Sequence, residues 1–282
     1  MTIRVAYQGE RGAFSEAAAR RLLGPGIEPL PYPTFDDMFA AVASSEAECC
    51  IAPIENSLAG SIHRNYDLML ESSLTIVAET YLRIVHHLIA AGHVPSDAIR
   101  RVYSHPVALA QCTRFLRANP AMEVVPAHDT AGAVREVMAR GRDDEAAIAS
   151  ADAAEIYGAK IVAAEIEDHE QNYTRFLLLA PDGHQVPTGA AAKRWKTSLV
   201  FRTANKPGTL FRALGAFARF ELDLAKIESR PIEGRPWEYA FYLDVIGRSD
   251  DSNVAAALDD LAPMCEMVRV LGSYPAVELL SS

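Results

Sequence analysis

Across the first 180 residues, short apolar runs alternate with Ala-rich helical stretches, and this alternation limits the fold more than any other feature. Residues 3–7 (Ile-Arg-Val-Ala-Tyr) read as a strand. Residues 16–23 read as a helix stopped by Gly24-Pro25-Gly26. Thr34 caps a second helix, and residues 48–52 form a buried strand whose ladder Pro53 is expected to stop. Residues 75–79 and 84–90 are extended, as in a crossover to a second lobe. A strand at 101–103 leads into one helix from Val107 through Leu116. Further strands fall at 122–125, 146–150 and 161–166, separated by helices at 131–139 and 151–157 that end at Gly141 and Gly158. Leu177-Leu178-Leu179 closes the series as a buried strand. This alternation of strands and helices predicts a doubly wound α/β region.

After it, residues 181–196 carry Pro187, Gly183, Gly189 and an Ala triplet and read as a linker. Residues 197–282 then give strand, helix, strand, strand, helix, strand, a ferredoxin-like βαββαβ module. In that reading one strand ends at Ile227 and runs out into Glu228-Ser229-Arg230-Pro231.

Charge narrows the partners. The 282 residues hold 27 Lys and Arg against 37 Asp and Glu, a net charge of -10, with no basic run. Nucleic acid and acidic membrane surfaces are therefore poor partners. No apolar run reaches the roughly 18–20 residues of a membrane helix, and the start has no signal-peptide pattern, so the expected location is cytoplasmic. Cys49, Cys50, Cys112 and Cys265 form no C-x-x-C, and no metal site is expected. His86 and His87 fall on an extended segment, point to opposite faces and are assigned a neutral, hydrogen-bonding role.

Four polar clusters sit at strand ends, where open α/β sheets bind ligands. The loop from Gln8 leads to Gly12-Ala13-Phe14-Ser15, with Ser15 either a helix cap or a ligand group. Pro53-Ile54-Glu55-Asn56-Ser57 follows a strand, and Gly60-Ser61 is expected to open a helix toward an anion. Ser104-His105-Pro106 starts a helix that carries Gln111 near its first turns. Asn172-Tyr173-Thr174-Arg175-Phe176 puts an amide, a hydroxyl and a guanidinium at the mouth of a strand.

These clusters, in this order and followed by Glu228-Ser229-Arg230-Pro231, resemble prephenate dehydratase with a C-terminal ACT domain. The resemblance spans the chain. It implies a catalytic region at 1–180 with two lobes (about 1–78 plus 167–180, and 79–166) like a type II periplasmic binding protein, and an ACT regulatory domain at 197–282. It implies decarboxylating dehydration of prephenate to phenylpyruvate for phenylalanine synthesis, with no cofactor. Carried onto this chain, Thr174, Glu55, Asn56, Gln111 and Ser104 are the implied catalytic residues. Ser15, Phe14, Ser57, Arg175, Phe176 and Asn172 are implied to bind substrate. Gly208, Thr209, Leu210, Glu228, Ser229, Arg230 and Pro231 are implied to hold L-phenylalanine at a contact between copies, in a homodimer or homotetramer. Thr209 departs from the usual Gly-Ala-Leu turn of that domain, which bears on effector affinity.

Loss of carbon dioxide pushes electrons toward a departing hydroxide, and aromatisation drives the step. Thr174 is then read as a hydrogen-bond donor to the leaving oxygen, Glu55 as the carboxyl group nearest by type to serve as acid, and Arg175 as a carboxylate clamp unless strand alternation turns it away. Arogenate dehydratase and a non-catalytic amino-acid sensor are the alternatives.

Overall fold

The computed structural model describes residues 2–184 and 194–277. Most of the expected linker, residues 185–193, therefore lies outside the described residues. The chain divides into two compact units, Met1–Asn65 with Thr80–Phe176 and Tyr66–Glu79 with Leu177–Ser282.

The first unit contains two lobes, while residues 66–79 and 177–180 of the elements described next count with the second unit. The first lobe begins with β1 (Arg4–Gln8), α1 (Phe14–Leu23), β2 (Glu28–Tyr32), α2 (Phe35–Ala43), β3 (Cys49–Asn56) and β4 (Gly60–Ser61), followed by α3 (His63–Glu71) and β5 (Thr75–Arg83). Strand β1 pairs in parallel with β2 and with β3. Val5, Ala6, Tyr7 and residues 49–52 are fully buried, because a parallel sheet is covered on both faces.

Three local expectations fail here. Strand β3 does not stop at Pro53 but runs on to Asn56, because Glu55 and Asn56 pair antiparallel with Ser61 and Gly60. The same pairing makes Gly60-Ser61 a short strand rather than a helix start. Ser15 is not a cap either: α1 begins at Phe14 with Ala13 as its N-cap.

The second lobe holds β6 (His87–Ala90), β7 (Arg101–Ser104), α4 (Pro106–Ala110), α5 (Thr113–Ala118), β8 (Glu123–Pro126), α6 (Thr130–Arg140), β9 (Glu145–Ala149), α7 (Ala151–Tyr157) and β10 (Lys160–Ala163). Its sheet has the order β10-β6-β9-β7-β8 around a core that includes Leu88, Val102, Leu109, Ala146 and Ile148. The single helix expected from 107 to 116 is two. Gln111 caps the end of α4, and the Asp168 carboxylate accepts the first amides of α5, Thr113 N at 3.0 Å and Arg114 N at 2.8 Å. That acceptor, from far along the chain, is invisible to local periodicity.

The chain then returns as β11 (Tyr173–Ala180), giving the first sheet the order β2-β1-β3-β11-β5. The two lobe crossings lie side by side: Ile84 N donates to Asn172 O at 2.7 Å, and Glu167 accepts His86 N at 3.0 Å and Arg83 Nη2 at 3.2 Å.

The second unit holds β12 (Trp195–Arg202), α8 (Thr209–Arg219), β13 (Leu224–Ile232), β14 (Arg235–Ile246), α9 (Ser252–Leu261) and β15 (Met267–Pro275) in the sheet order β13-β14-β12-β15. Its helices pack on a core of Leu199, Phe201, Phe217, Leu243 and Val254. Strand β12 starts at Trp195, opposite Pro275, so the end of the expected linker is sheet. Glu228-Ser229-Arg230-Pro231 lies inside β13 rather than beyond a strand that ends at Ile227, because β14 pairs with it as far as Ile232.

This unit also buries an ion pair. Lys196 Nζ sits 2.8 and 2.9 Å from the two Glu79 carboxylate oxygens, with side-chain exposures of 6% and 0%. Close by, Gly272 packs so tightly that a Cβ there would lie 2.1 Å from Ile76 O. A buried pair matters mostly when one partner is lost, because the other charge is then stranded. Lys196→Met is expected to cost about 3–5 kcal/mol in urea unfolding, and Lys196→Met with Glu79→Leu to recover most of that.

Candidate functional site

A cleft of about 660 Å³ opens within the first unit, walled by both lobes. Phe14, Ile62, Ile84 and Phe176 supply an apolar surface; Ser15, Asn56, Gln111, Thr174 and His86 supply the polar one.

The polar groups are joined. Asn56 stands at the end of β3 with its Oδ1 accepting two backbone amides, Leu58 N at 3.0 Å and Ala59 N at 2.8 Å. Those amides identify the oxygen, and the remaining orientations follow. Asn56 Nδ2 donates to Asn172 Oδ1 at 2.7 Å and to Thr174 Oγ1 at 2.9 Å, with a longer approach to Tyr173 O at 3.3 Å. Gln111 turns its Nε2 to Asn56 Oδ1 at 3.3 Å. Its Oε1 therefore faces Asn172 Nδ2 at 3.0 Å and His86 Nε2 at 2.9 Å. His86 must then carry its hydrogen on Nε2. Because Thr174 Oγ1 accepts from Asn56, its own proton points away from Asn56, free for a ligand in the cleft.

No Lys or Arg side chain lines the cleft among the described residues. Positive potential comes instead from α1, whose first residues and N-cap (Ala13, Phe14, Ser15) form part of the wall. No side chain caps that end, so its leading N–H groups are available to a carboxylate. The loop that feeds α1 is fixed by the buried Glu16, which accepts Gly12 N at 3.0 Å, Tyr7 Oη at 3.1 Å and Arg20 Nη2 at 2.8 Å. Although burial raises the Glu16 pKa, its bonds to Gly12 and Arg20 outweigh that and bring it below the usual value. The opposing lobe meets this loop directly: Ser150 Oγ donates to Gly12 O at 2.7 Å, and a Cβ on Gly12 would sit 2.7 Å from Ala153 Cα.

Two carboxylates also touch the cleft, and both are engaged. Asp36 accepts Arg64 Nη2 at 2.5 Å, a bond that lowers its pKa, and Asp129 caps α6 by accepting Gly132 N at 2.6 Å.

The expected site residues thus separate. Thr174, Asn56, Gln111, Phe14, Ser15 and Phe176 line the cleft, and Asn172 lies buried directly behind it. Glu55 does not line it, because alternation along β3 turns Glu55 away from the face that presents Asn56. Arg175 is buried on the other side of β11 from Thr174 and is not a cleft clamp. Ser104 is fully buried with its proton committed to Ile148 O at 2.6 Å, so it ties β7 to β9 and does not line the cleft. Ser57 bridges β3 to the start of β11, donating to Gln171 O at 3.0 Å and accepting Tyr173 N at 3.0 Å. His86 is the residue that sequence reading left out of the site. Its only signal was the His86-His87 pair, where alternation sends one ring to each face.

In the second unit, a cavity of about 290 Å³ is lined by Gly208, Thr209, Leu210, Phe211, Trp237 and Tyr239 among others, but by none of Glu228, Ser229, Arg230 and Pro231. Arg230 is paired with Asp67, Nη2 to Oδ2 at 3.0 Å. Of the expected effector residues, this cavity therefore brings together Gly208, Thr209 and Leu210.

The sequence profile of the prephenate dehydratase family matches residues 5–184, and that of the ACT domain matches residues 197–263. An Arabidopsis thaliana protein named arogenate dehydratase/prephenate dehydratase 2, chloroplastic, is 44% identical over 97% of this chain and 73% of its own length. The structure of prephenate dehydratase from Arthrobacter aurescens in complex with L-Phe matches with TM-score 0.86 at 31% identity, covering 98% of this chain and 92% of that one. A protein described as GqqA, a novel type of quorum quenching acylase, matches with TM-score 0.87 at 36% identity over 97% of this chain and 98% of its own.

Burial pushes the His86 pKa down, more than its bond to Gln111 and the nearby Glu167 charge raise it, and the His87 ring adds to the lowering. A depressed pKa means the folded state favours the neutral ring. Its contribution to stability is full above about pH 6.5 and is lost as pH falls through the depressed value. Nitrogen-15 NMR of the histidines is expected to show His86 neutral at pH 7 with its hydrogen on Nε2. A hydrogen on Nδ1 alone would contradict the amide orientations above.

Proposed function

This chain belongs to the prephenate dehydratase family and is a carbon–oxygen lyase, and we propose that it converts prephenate to phenylpyruvate for L-phenylalanine synthesis, under feedback by L-phenylalanine bound to its ACT domain. The observation that carries the reading is Thr174 Oγ1, held at 2.9 Å by Asn56 Nδ2 so that its proton is left for the cleft.

The reaction balances as prephenate dianion plus one proton giving phenylpyruvate monoanion, carbon dioxide and water. The bond to the ring carboxylate breaks, its electron pair enters the ring, and the ring carbon–oxygen bond breaks as the ring becomes aromatic. Thr174 donates a hydrogen bond to the departing oxygen, where a fixed donor is worth roughly 10²–10³-fold. Asn56 and Gln111 orient that donor. The N-terminus of α1, with Ser15, receives a substrate carboxylate, and Phe14 and Phe176 pack the ring.

Prephenate is favoured over arogenate because an ammonium group in the cleft needs an acceptor. The two carboxylates there are already bonded to Arg64 and to the Gly132 amide of α6. The acylase description belongs to the protein so described; here Thr174 Oγ1 is bonded by an amide rather than an imidazole, which does not activate it as a nucleophile.

For the effector, the cavity beside Gly208 suits one amino acid. Phe211 and Trp237 on its wall are 81% and 76% exposed in the single chain, which supports closure by a second copy contributing Glu228–Pro231. A homodimer or homotetramer is accordingly part of the proposal. So is a cytoplasmic location, the plant relatives being named chloroplastic.

Two experiments test this. Phenylpyruvate absorbance after mixing with prephenate is expected to appear with the native protein, to fall about 10²–10⁴-fold in Thr174→Ala and to recover substantially in Thr174→Ser. Turnover of Thr174→Ala near the native rate would remove the assignment. Saturating L-phenylalanine is expected to raise the melting temperature and lower turnover, with coupling of about 1–3 kcal/mol; neither change would leave the ACT unit structural only.

A further inference from the structure

We propose that His86 is a positioning residue for this reaction: its Nε2–H fixes the Gln111 amide, which with Asn56 and Asn172 sets the direction in which Thr174 offers its proton. The inference deepens the reading above and rests on it.

His86 lies in the crossing between β5 and β6, the segment that joins the lobes. Its ring lines the cleft, is 2% exposed, and meets the Phe14 ring edge-to-face at 5.6 Å between centroids. Its Nε2 reaches Gln111 Oε1 at 2.9 Å, while its buried Nδ1 has no hydrogen-bond partner among the described residues. A buried polar atom left unpaired costs roughly 1–3 kcal/mol. An aliphatic side chain fills the same space without that cost. The ring's value therefore lies in the one nitrogen that is bonded.

That nitrogen acts on an amide with few other anchors. Gln111 Oε1 holds two donors, His86 Nε2 and Asn172 Nδ2, and Gln111 Nε2 reaches Asn56 Oδ1 only at 3.3 Å. Without the imidazole hydrogen, the amide can rotate and present oxygen to Asn56 Oδ1. Two facing oxygens repel, and Asn56 is the group that bonds Thr174 Oγ1. A small displacement of a catalytic group is worth up to about 10²-fold in rate.

Titration does not remove the effect. Nε2 carries a hydrogen in the neutral ring and in the imidazolium alike. The charged and titratable neighbours are Glu167, on the returning crossing, and His87, the next residue in β6.

The test uses His86→Leu, which removes the donor, and His86→Gln, whose amide can place an N–H near the position of Nε2. Turnover of His86→Leu is expected to fall about 10–10²-fold with KM little changed, and His86→Gln to recover to within about tenfold of native. Because His86 acts through Thr174, adding His86→Leu to Thr174→Ala is expected to lower turnover no further. The turnover–pH profile of the native protein is expected to be flat from about pH 6 to 8.5, and this stands even if the Leu variant does not fold.

Native turnover in His86→Leu would overturn the proposal, as would additive losses in the double variant. A native pH limb that vanishes in His86→Gln would overturn it by making His86 a proton-transfer group. If the native protein yields no phenylpyruvate from prephenate, the reaction assignment fails first, and the two failures stay distinct.

Discussion

One carboxamide fixes the hydrogen-bond pattern of the cleft. Asn56 Oδ1 is pinned by the backbone amides of Leu58 and Ala59, so Asn56 presents only N–H to Asn172 and Thr174. A threonine hydroxyl between two equivalent acceptors would spend its proton inside the protein. Here it faces a donor and is made an acceptor on that side, so the proton is turned outward. The turn after β3, the β3–β4 pairing and the return of β11 beside β3 serve to hold those few atoms in place.

The cleft must also hold a dianion with no Lys or Arg side chain on its wall among the described residues. A lysine or arginine there would bind the substrate carboxylates in ground state and transition state alike and lower KM without lowering the barrier. It would also hold the carboxylate that has to leave as neutral carbon dioxide. Backbone amides at the uncapped start of α1 supply a weaker, fixed positive end. Glu16 makes that arrangement possible, since its carboxylate gathers the Gly12 amide and the Tyr7 hydroxyl into one rigid loop.

Much of this was legible from sequence where local chemistry decides structure. The capping residues Thr34 and Asp129, and the left-handed stops at Gly141 and Gly158, sit where short-range rules put them, whereas Ser150, expected as the end of a strand, caps the next helix. The pentapeptide at 172–176 placed an amide and a hydroxyl at a strand mouth, and both meet at the cleft network. What escaped depends on distant partners. The break in the helix at Gln111 needs Asp168, 57 residues later than Gln111 in the chain, and the continuation of β3 through Pro53 needs the β4 hairpin. Ser104, Glu55 and Arg175 carry polar side chains in motif positions, yet strand alternation turns Glu55 and Arg175 from the cleft face and a backbone acceptor takes the Ser104 proton. His86 shows the reverse, a residue whose motif is silent and whose place in the network appears only when Asn56, Gln111, Asn172 and Thr174 converge beside it from three other segments.

The central claim concerns the position of one hydrogen, and neutron diffraction from deuterated crystals locates it directly. The account predicts two deuterons on the Asn56 nitrogen, one of them directed at Thr174 Oγ1, and the Thr174 deuteron pointing into the cleft. A Thr174 deuteron lying on the line to Asn56, with the carboxamide oxygen as its acceptor, would contradict it.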